Sequence, residues 1–320
     1  MSQSGSGAGR GQLLVITALV LAIVLVSLAL VLNSAIYTEN LSSRSSGNSD
    51  DALSVVSITF ETIDIHLERV NARHNNSHED LTQNYTQLTN EFQNAQSNGY
   101  ANRGISFDAT TIGQTNGTQL RQTNQSRAFT NASGDASDWQ VAGGVSGISD
   151  YTMVVNRDGL YTDGGGDILA NSSTVYITNE SGTVWQLHIY ENTNNNVTVK
   201  PVVDGTEEPT CEVDAAEVEI DFVAGAVGGR PCSTLVFAEG LEGTLDIEYH
   251  NPDEIAGTYS LRVDVTIDPA TNDHYVAFGT GSPTATLNIY ATTTRITYDS
   301  SEVSYASTQR IVAGEQAYTE

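Results

Sequence analysis

Leu261-Arg262-Val263-Asp264-Val265-Thr266-Ile267 alternates apolar and polar side chains without a break. Side chains of an extended chain point to opposite sides in turn. The stretch therefore predicts a strand that buries Leu261, Val263, Val265 and Ile267 and turns Arg262, Asp264 and Thr266 to water. It belongs to a strand expected over Tyr259–Ile267. Runs of the same β-branched and aromatic texture occur at Tyr151–Asn156, Thr174–Thr178, Val184–Tyr190, Val197–Val203, Val218–Val223, Thr234–Phe237, Thr244–Tyr249, Thr286–Tyr290 and Arg295–Tyr298. Gly, Asn, Asp and Pro punctuate them, and Glu180-Ser181-Gly182 is expected to turn a hairpin. No helical pattern separates the runs, which disfavours parallel β-α-β units. Residues 104–310 are expected to form a mainly antiparallel β-sandwich, with a polar loop at 112–138.

Upstream the hydrophobic period lengthens. Leu53, Val56, Phe60, Ile63, Leu67 and Val70 are spaced by three and four, as on one face of a helix, and Leu81, Tyr85, Leu88, Phe92 and Ala95 form a second such face. Ser77 with Asp80 reads as a new helix start and Asn98-Gly99 as a stop, so residues 50–99 are expected to form a helical hairpin. Further upstream, Leu13 to Leu32 carries no charge over twenty residues. As a helix it would be roughly 30 Å long, the thickness of a bilayer's hydrocarbon core. The expected class is α+β: an N-terminal transmembrane helix at 13–33, a linker at 34–49, the hairpin, the β-sandwich and a tail at 311–320. Arg10 precedes the span, which would place residues 1–12 in the cytoplasm, the lipid bilayer around Leu13 to Leu32, and the C-terminal domain outside a cell membrane crossed once.

The chain carries 39 Asp and Glu against 13 Lys and Arg, for a net charge of −26, and its only lysine is Lys200. No basic cluster exists to neutralise phosphates, which excludes nucleic acid as a partner. Cys211 and Cys232 would close a loop of 22 residues if they pair. Nine Asn-x-Ser/Thr sequons occur, of which Asn116, Asn124 and Asn131, sharing the polar stretch, are the candidate glycosylation sites. His74 and His78 are four apart, but the same residues read as the turn between helices. Asp158, Asp163 and Asp167 around Gly164-Gly165-Gly166 match no calcium-loop spacing. His188, His250 and His274 fall in or beside strands, where surface-facing positions are expected. No catalytic, metal or cofactor site is expected, since nucleophile, Rossmann and P-loop patterns are all missing.

Arg10-Gly11-Gln12-Leu13-Leu14 resembles the head of archaeal type IV pilin-like proteins, and with Asn33-Ser34-Ala35-Ile36-Tyr37-Thr38-Glu39-Asn40-Leu41 it makes the chain similar to single-pass surface proteins of haloarchaea. Ile16 stands where such heads often carry Glu. The resemblance implies processing between Gly11 and Gln12 and a cell-surface or pilus-associated role. Two functions are therefore expected. The first is a membrane-anchored structural protein without catalytic activity, partnered by copies of itself or other surface proteins. The alternative is a surface-displayed module that binds a glycan or protein.

Overall fold

The computed structural model describes residues 50–73 and 77–314. The chain opens with α1 (50–73) and α2 (His78–Ala101), followed by β1 (Ser106–Gln122), β2 (Trp139–Val145) and β3 (Ile148–Asn156). A short helix α3 (Ile168–Asn171) leads into β4 (Ser173–Asn179), β5 (Val184–Glu191), β6 (Val197–Val203), β7 (Thr206–Glu207), β8 (Cys211–Val213) and β9 (Glu217–Asp221). The remainder comprises β10 (Ala226–Val227), β11 (Arg230–Pro231), β12 (Leu245–His250), β13 (Gly257–Val263), β14 (Val276–Ala277), β15 (Thr284–Asp299) and β16 (Ser304–Val312).

Two sheets result. The first runs β11-β10-β9-β3-β13-β1-β15-β14, with β16 also on β15, and the second runs β2-β12-β4-β5-β6-β7, with β8 on β6. Neighbouring strands are antiparallel except for the short β14–β15 pair. The inward side chains of both sheets, among them Leu120, Met153, Val155, Ile177, Leu187, Val199, Ile247 and Leu261, form the main core. Tyr151 stacks on Phe222 there with ring centroids 4.0 Å apart, beside Trp185 and Phe237. Gly257 is required where β13 crosses β3: a Cβ at this position would lie 2.0 Å from Val154 O.

A second core lies under the helices. Val56, Phe60, Ile63, Leu67 and Val70 of α1 and Leu81 and Tyr85 of α2 pack on Phe107, Ala109, Ile289, Ile296, Tyr298 and Ile311. Ser77 caps α2 by accepting a hydrogen bond from Asp80 N at 3.0 Å.

Several expectations are corrected. The architecture is mainly β, two packed sheets, rather than α+β. Among the described residues no helix is long and apolar enough to cross a membrane, since α1 and α2 are amphipathic and charged on their outer faces. The transmembrane helix and the single-pass cell-membrane location expected from sequence accordingly find no support among the described residues. The stretch that carried them, Leu13 to Leu32, lies outside the described residues, as do the linker at 34–49 and the tail from residue 315. The polar stretch from residue 112 is not a loop at its start: Ile112 to Gln122 belong to β1, whose Thr, Gln and Asn side chains conceal a strand held by β15 and β13. Thr234–Phe237 is loop, Thr286–Tyr290 and Arg295–Tyr298 are one strand, and α2 passes through Asn98-Gly99 to Ala101. In the opening stretch only Leu261 to Val263 stay in a strand. Arg262, expected in water, is 4% exposed beneath α1, because Glu68 meets it there.

Candidate functional site

The outward face of the second sheet gathers a cluster of polar side chains. In β5, Trp185, Leu187 and Ile189 enter the core, so Gln186, His188 and Tyr190 point the other way. Register then aligns His250, Thr174, His188 and Lys200 in one row across β12, β4, β5 and β6. A second row carries Glu248, Tyr176, Gln186 and Val202.

The segment before β4 crosses this face. Glu191 N donates to Tyr161 O at 2.9 Å and Asp163 N donates to Glu191 O at 2.8 Å, which ties the segment to the end of β5. Asp167 caps α3 by accepting from Ala170 N at 3.3 Å. Asn251, held at φ 47°, donates through Nδ2 to Ser172 O and through its main chain to Asp138 Oδ1. These contacts enclose an open cavity of about 430 Å³, lined by Asp138, Asp167, Thr174, Tyr176, Gln186, His188, His250 and Asn251 among others.

His188 is 3% exposed, a correction to the surface position expected for it. Its Nδ1 lies 2.9 Å from Thr174 Oγ1 and 3.1 Å from Ser172 Oγ, and its Nε2 lies 3.3 Å from Gln186 Oε1. Two hydroxyls at one nitrogen and an amide oxygen at the other assign the proton to Nε2. Burial, reinforced by the Lys200 charge, pulls the imidazole pKa down to about 4, so it is neutral near pH 7. His250 stacks on Tyr176 at 4.4 Å, with Nε2 2.9 Å from Glu248 Oε2 and Nδ1 3.7 Å from Asp138 Oδ2. Lys200 is paired with Glu207. Every imidazole nitrogen in the cavity therefore faces a partner, and the wholly buried Ser172 hydroxyl faces no solvent. The arrangement offers hydrogen-bond donors and acceptors around a flat Tyr176–His250 pair.

Of the residues singled out from sequence, His188, His250 and Asp167 line the cavity and the others lie elsewhere. Cys211 and Cys232 form a disulfide, Cα–Cα 6.0 Å, that fastens β8 to the loop after β11. Asn116 sits exposed in β1, and the Asn124 and Asn131 side chains accept hydrogen bonds from Ser126 and Ser133 in turns. Gly11 and Gln12 are outside the described residues. His78 Nε2 lies 3.2 Å from Gly117 O, His74 is outside the described residues, and of the three aspartates only Asp167 lines the cavity. Among the described residues no three His, Cys, Asp or Glu side chains are grouped to hold a metal ion. Sequence reasoning missed the cavity because its members come from five separated segments. The alternation in β5 was the one local sign that His188 and Gln186 share a face.

Residues 7–138 are similar to a family described as a family of unknown function (DUF7261). No curated protein and no solved structure matches. The matched stretch contains both long helices and β1, and of the cavity it includes Asp138 alone.

Proposed function

We propose that the protein is a non-catalytic binding module whose ligand is a glycan held on the outward face of the second sheet. The supporting observation is the two-row polar lining of the 430 Å³ cavity. Sugar hydroxyls both donate and accept. Asp138, Asp167, Gln186 and Asn251 supply planar acceptors and donors, and the Tyr176–His250 pair supplies a flat surface for the C–H face of a ring. The choice of binding over turnover draws support from the imidazoles, whose nitrogens are already engaged by Thr174, Gln186, Glu248 and Asp138.

The test is calorimetric titration of the full chain with a panel of neutral and acidic oligosaccharides, alongside Gln186→Ala and Asp138→Ala. Saturable binding to at least one sugar, weakened about tenfold in either variant and without hydrolysis, is expected. Absence of binding across the panel, or equal binding by both variants, overturns the reading.

A second reading, assembly with copies of itself or other proteins, draws support from β16. This nine-residue strand pairs with β15, and among the described residues no strand lies on its other edge. It carries no proline or lysine to discourage pairing. Assembly through that edge predicts oligomers in sedimentation that Ser307→Lys with Gln309→Lys disperses; a monomer under all conditions excludes it.

A further inference from the structure

The edge of β15 is interrupted. β14 pairs with it as far as Ala285 and the pairing with β16 starts at Ala291, leaving residues 286–290 without a paired strand on that side. Asn71 fills part of the gap by bonding to Ile289. Beside it opens a cleft of about 220 Å³, lined by Glu68, Gln119, Arg121, Phe278, Leu287 and Asn288 among others.

Three features of this cleft have no use within the fold. Asn288 is 2% exposed, yet neither its Oδ1 nor its Nδ2 has a hydrogen-bond partner. A buried carboxamide in that condition is costly unless something else pairs with it. Arg121 has no ion pair among the described residues, although acidic residues outnumber basic ones threefold. Phe278 is 71% exposed at the rim.

The charges are arranged in two halves. Arg262 is shared by Glu68, at 2.7 Å, and Asp150, at 3.3 Å, so one guanidinium answers two carboxylates and the Glu68 side keeps a surplus of negative charge. Arg121 supplies an unanswered positive charge in the same cleft. Asn288 offers a donor and an acceptor together.

We propose that this cleft binds a free α-amino acid with a small apolar side chain. The carboxylate meets Arg121, the ammonium meets the surplus charge at Glu68, and the Asn288 carboxamide donates to the first and accepts from the second. Phe278 and Leu287 cover the apolar side chain. A cleft of this volume is below the size of drug-sized pockets, in keeping with a ligand of so few atoms. The site is separate from the polar cavity of the second sheet and does not depend on its role.

The experiment uses the full chain and L-leucine, followed by calorimetry and by the rise in melting temperature that a native-state ligand produces. Two fragments of leucine, 4-methylpentanoate without the ammonium and 3-methylbutylamine without the carboxylate, dissect the charges on the unmodified protein. Saturable binding of L-leucine, at least about tenfold weaker for each fragment and for Arg121→Gln, Glu68→Gln and Asn288→Ala, is expected. No saturable binding at about 10 mM leucine, equal affinity for either fragment, or undiminished binding by Arg121→Gln overturns the proposal. The fragment comparison decides the matter even if a variant fails to fold.

Discussion

The side-chain amide of Asn71 pairs with the main chain of Ile289 as another strand would: Asn71 Nδ2 donates to Ile289 O at 2.9 Å, and Ile289 N donates to Asn71 Oδ1 at 2.8 Å. The pairing falls in the gap between β14 and β16, where β15 would otherwise bury an unsatisfied donor and acceptor. One helix residue thus closes a defect in the sheet and fixes the last turns of α1 on it.

Asn71→Ala removes both bonds at once and leaves two buried main-chain groups unpaired. A loss of about 2–4 kcal/mol is expected in urea unfolding, from roughly 1–3 kcal/mol per orphaned group with partial relaxation. Asn71→Asp retains the acceptor and loses the donor, so its cost should be intermediate only if the Ile289 N–H bond survives. Equal stability of Asn71→Ala and the unmodified chain would show that the pairing contributes nothing.

Arg262 makes the second clamp between helix and sheet. Its Nε donates to Gln119 Oε1 at 3.0 Å while its two terminal nitrogens reach Glu68 and Asp150. Arg262→Met keeps the length and apolar stem but removes every polar contact. Glu68 and Asp150 are 41% and 38% exposed and can regain water, so the cost should be about 2 kcal/mol rather than the larger penalty of stranding a fully buried charge. Thermal unfolding measures it, and no fall in melting temperature would count against the clamp.

The same arginine shows how far the sequence could be read. Alternation correctly sets Arg262 opposite Leu261 and Val263, but whether the outward face meets water depends on α1, almost two hundred residues away. Val197–Val203 was legible because its apolar run is bounded by turn residues on both sides. Ser106–Gln122 was not, because a strand held by neighbours on both edges can carry Thr, Gln and Asn, and its burial comes from distant β13, β15 and the helices. The polar cavity was hidden for a related reason. His188 and Gln186 are outward in β5 by local pattern, but their meeting with His250, Asp138 and Asp167 is a matter of strand order, which no local pattern encodes.

His188 predicts a pH dependence. Its folded pKa is about 4 against an ordinary 6.5, so between these values the unfolded chain takes up a proton that the folded chain refuses. Stability should therefore fall as pH drops from 6.5 toward 4 and level off below, with His188 accounting for up to about 3 kcal/mol at 1.36 kcal/mol per pH unit. His188→Gln should flatten that part of the profile in denaturant unfolding at successive pH values. Superimposable profiles for the two proteins would remove the imidazole as the cause.

Asp64 works in the opposite sense. Burial raises its pKa, the nearby Glu68 carboxylate raises it further, and Arg262 opposes both; its Oδ1 is buried without a hydrogen-bond partner. A carboxyl whose folded pKa is raised holds its proton more tightly in the folded chain, so its contribution is least unfavourable in acid and turns against folding as pH rises through the folded value. At neutral pH the charge is a burden that Asp64→Asn removes while keeping the shape. The group is partly exposed, so screening limits the gain to a few tenths up to about 1 kcal/mol. The gain should be present at pH 7 and vanish below the ordinary carboxylate range. A variant stabilised equally at both ends of that range would be acting through packing, and one destabilised at pH 7 would mean that the Asp64 charge is needed by Arg262 more than it is resented by Glu68.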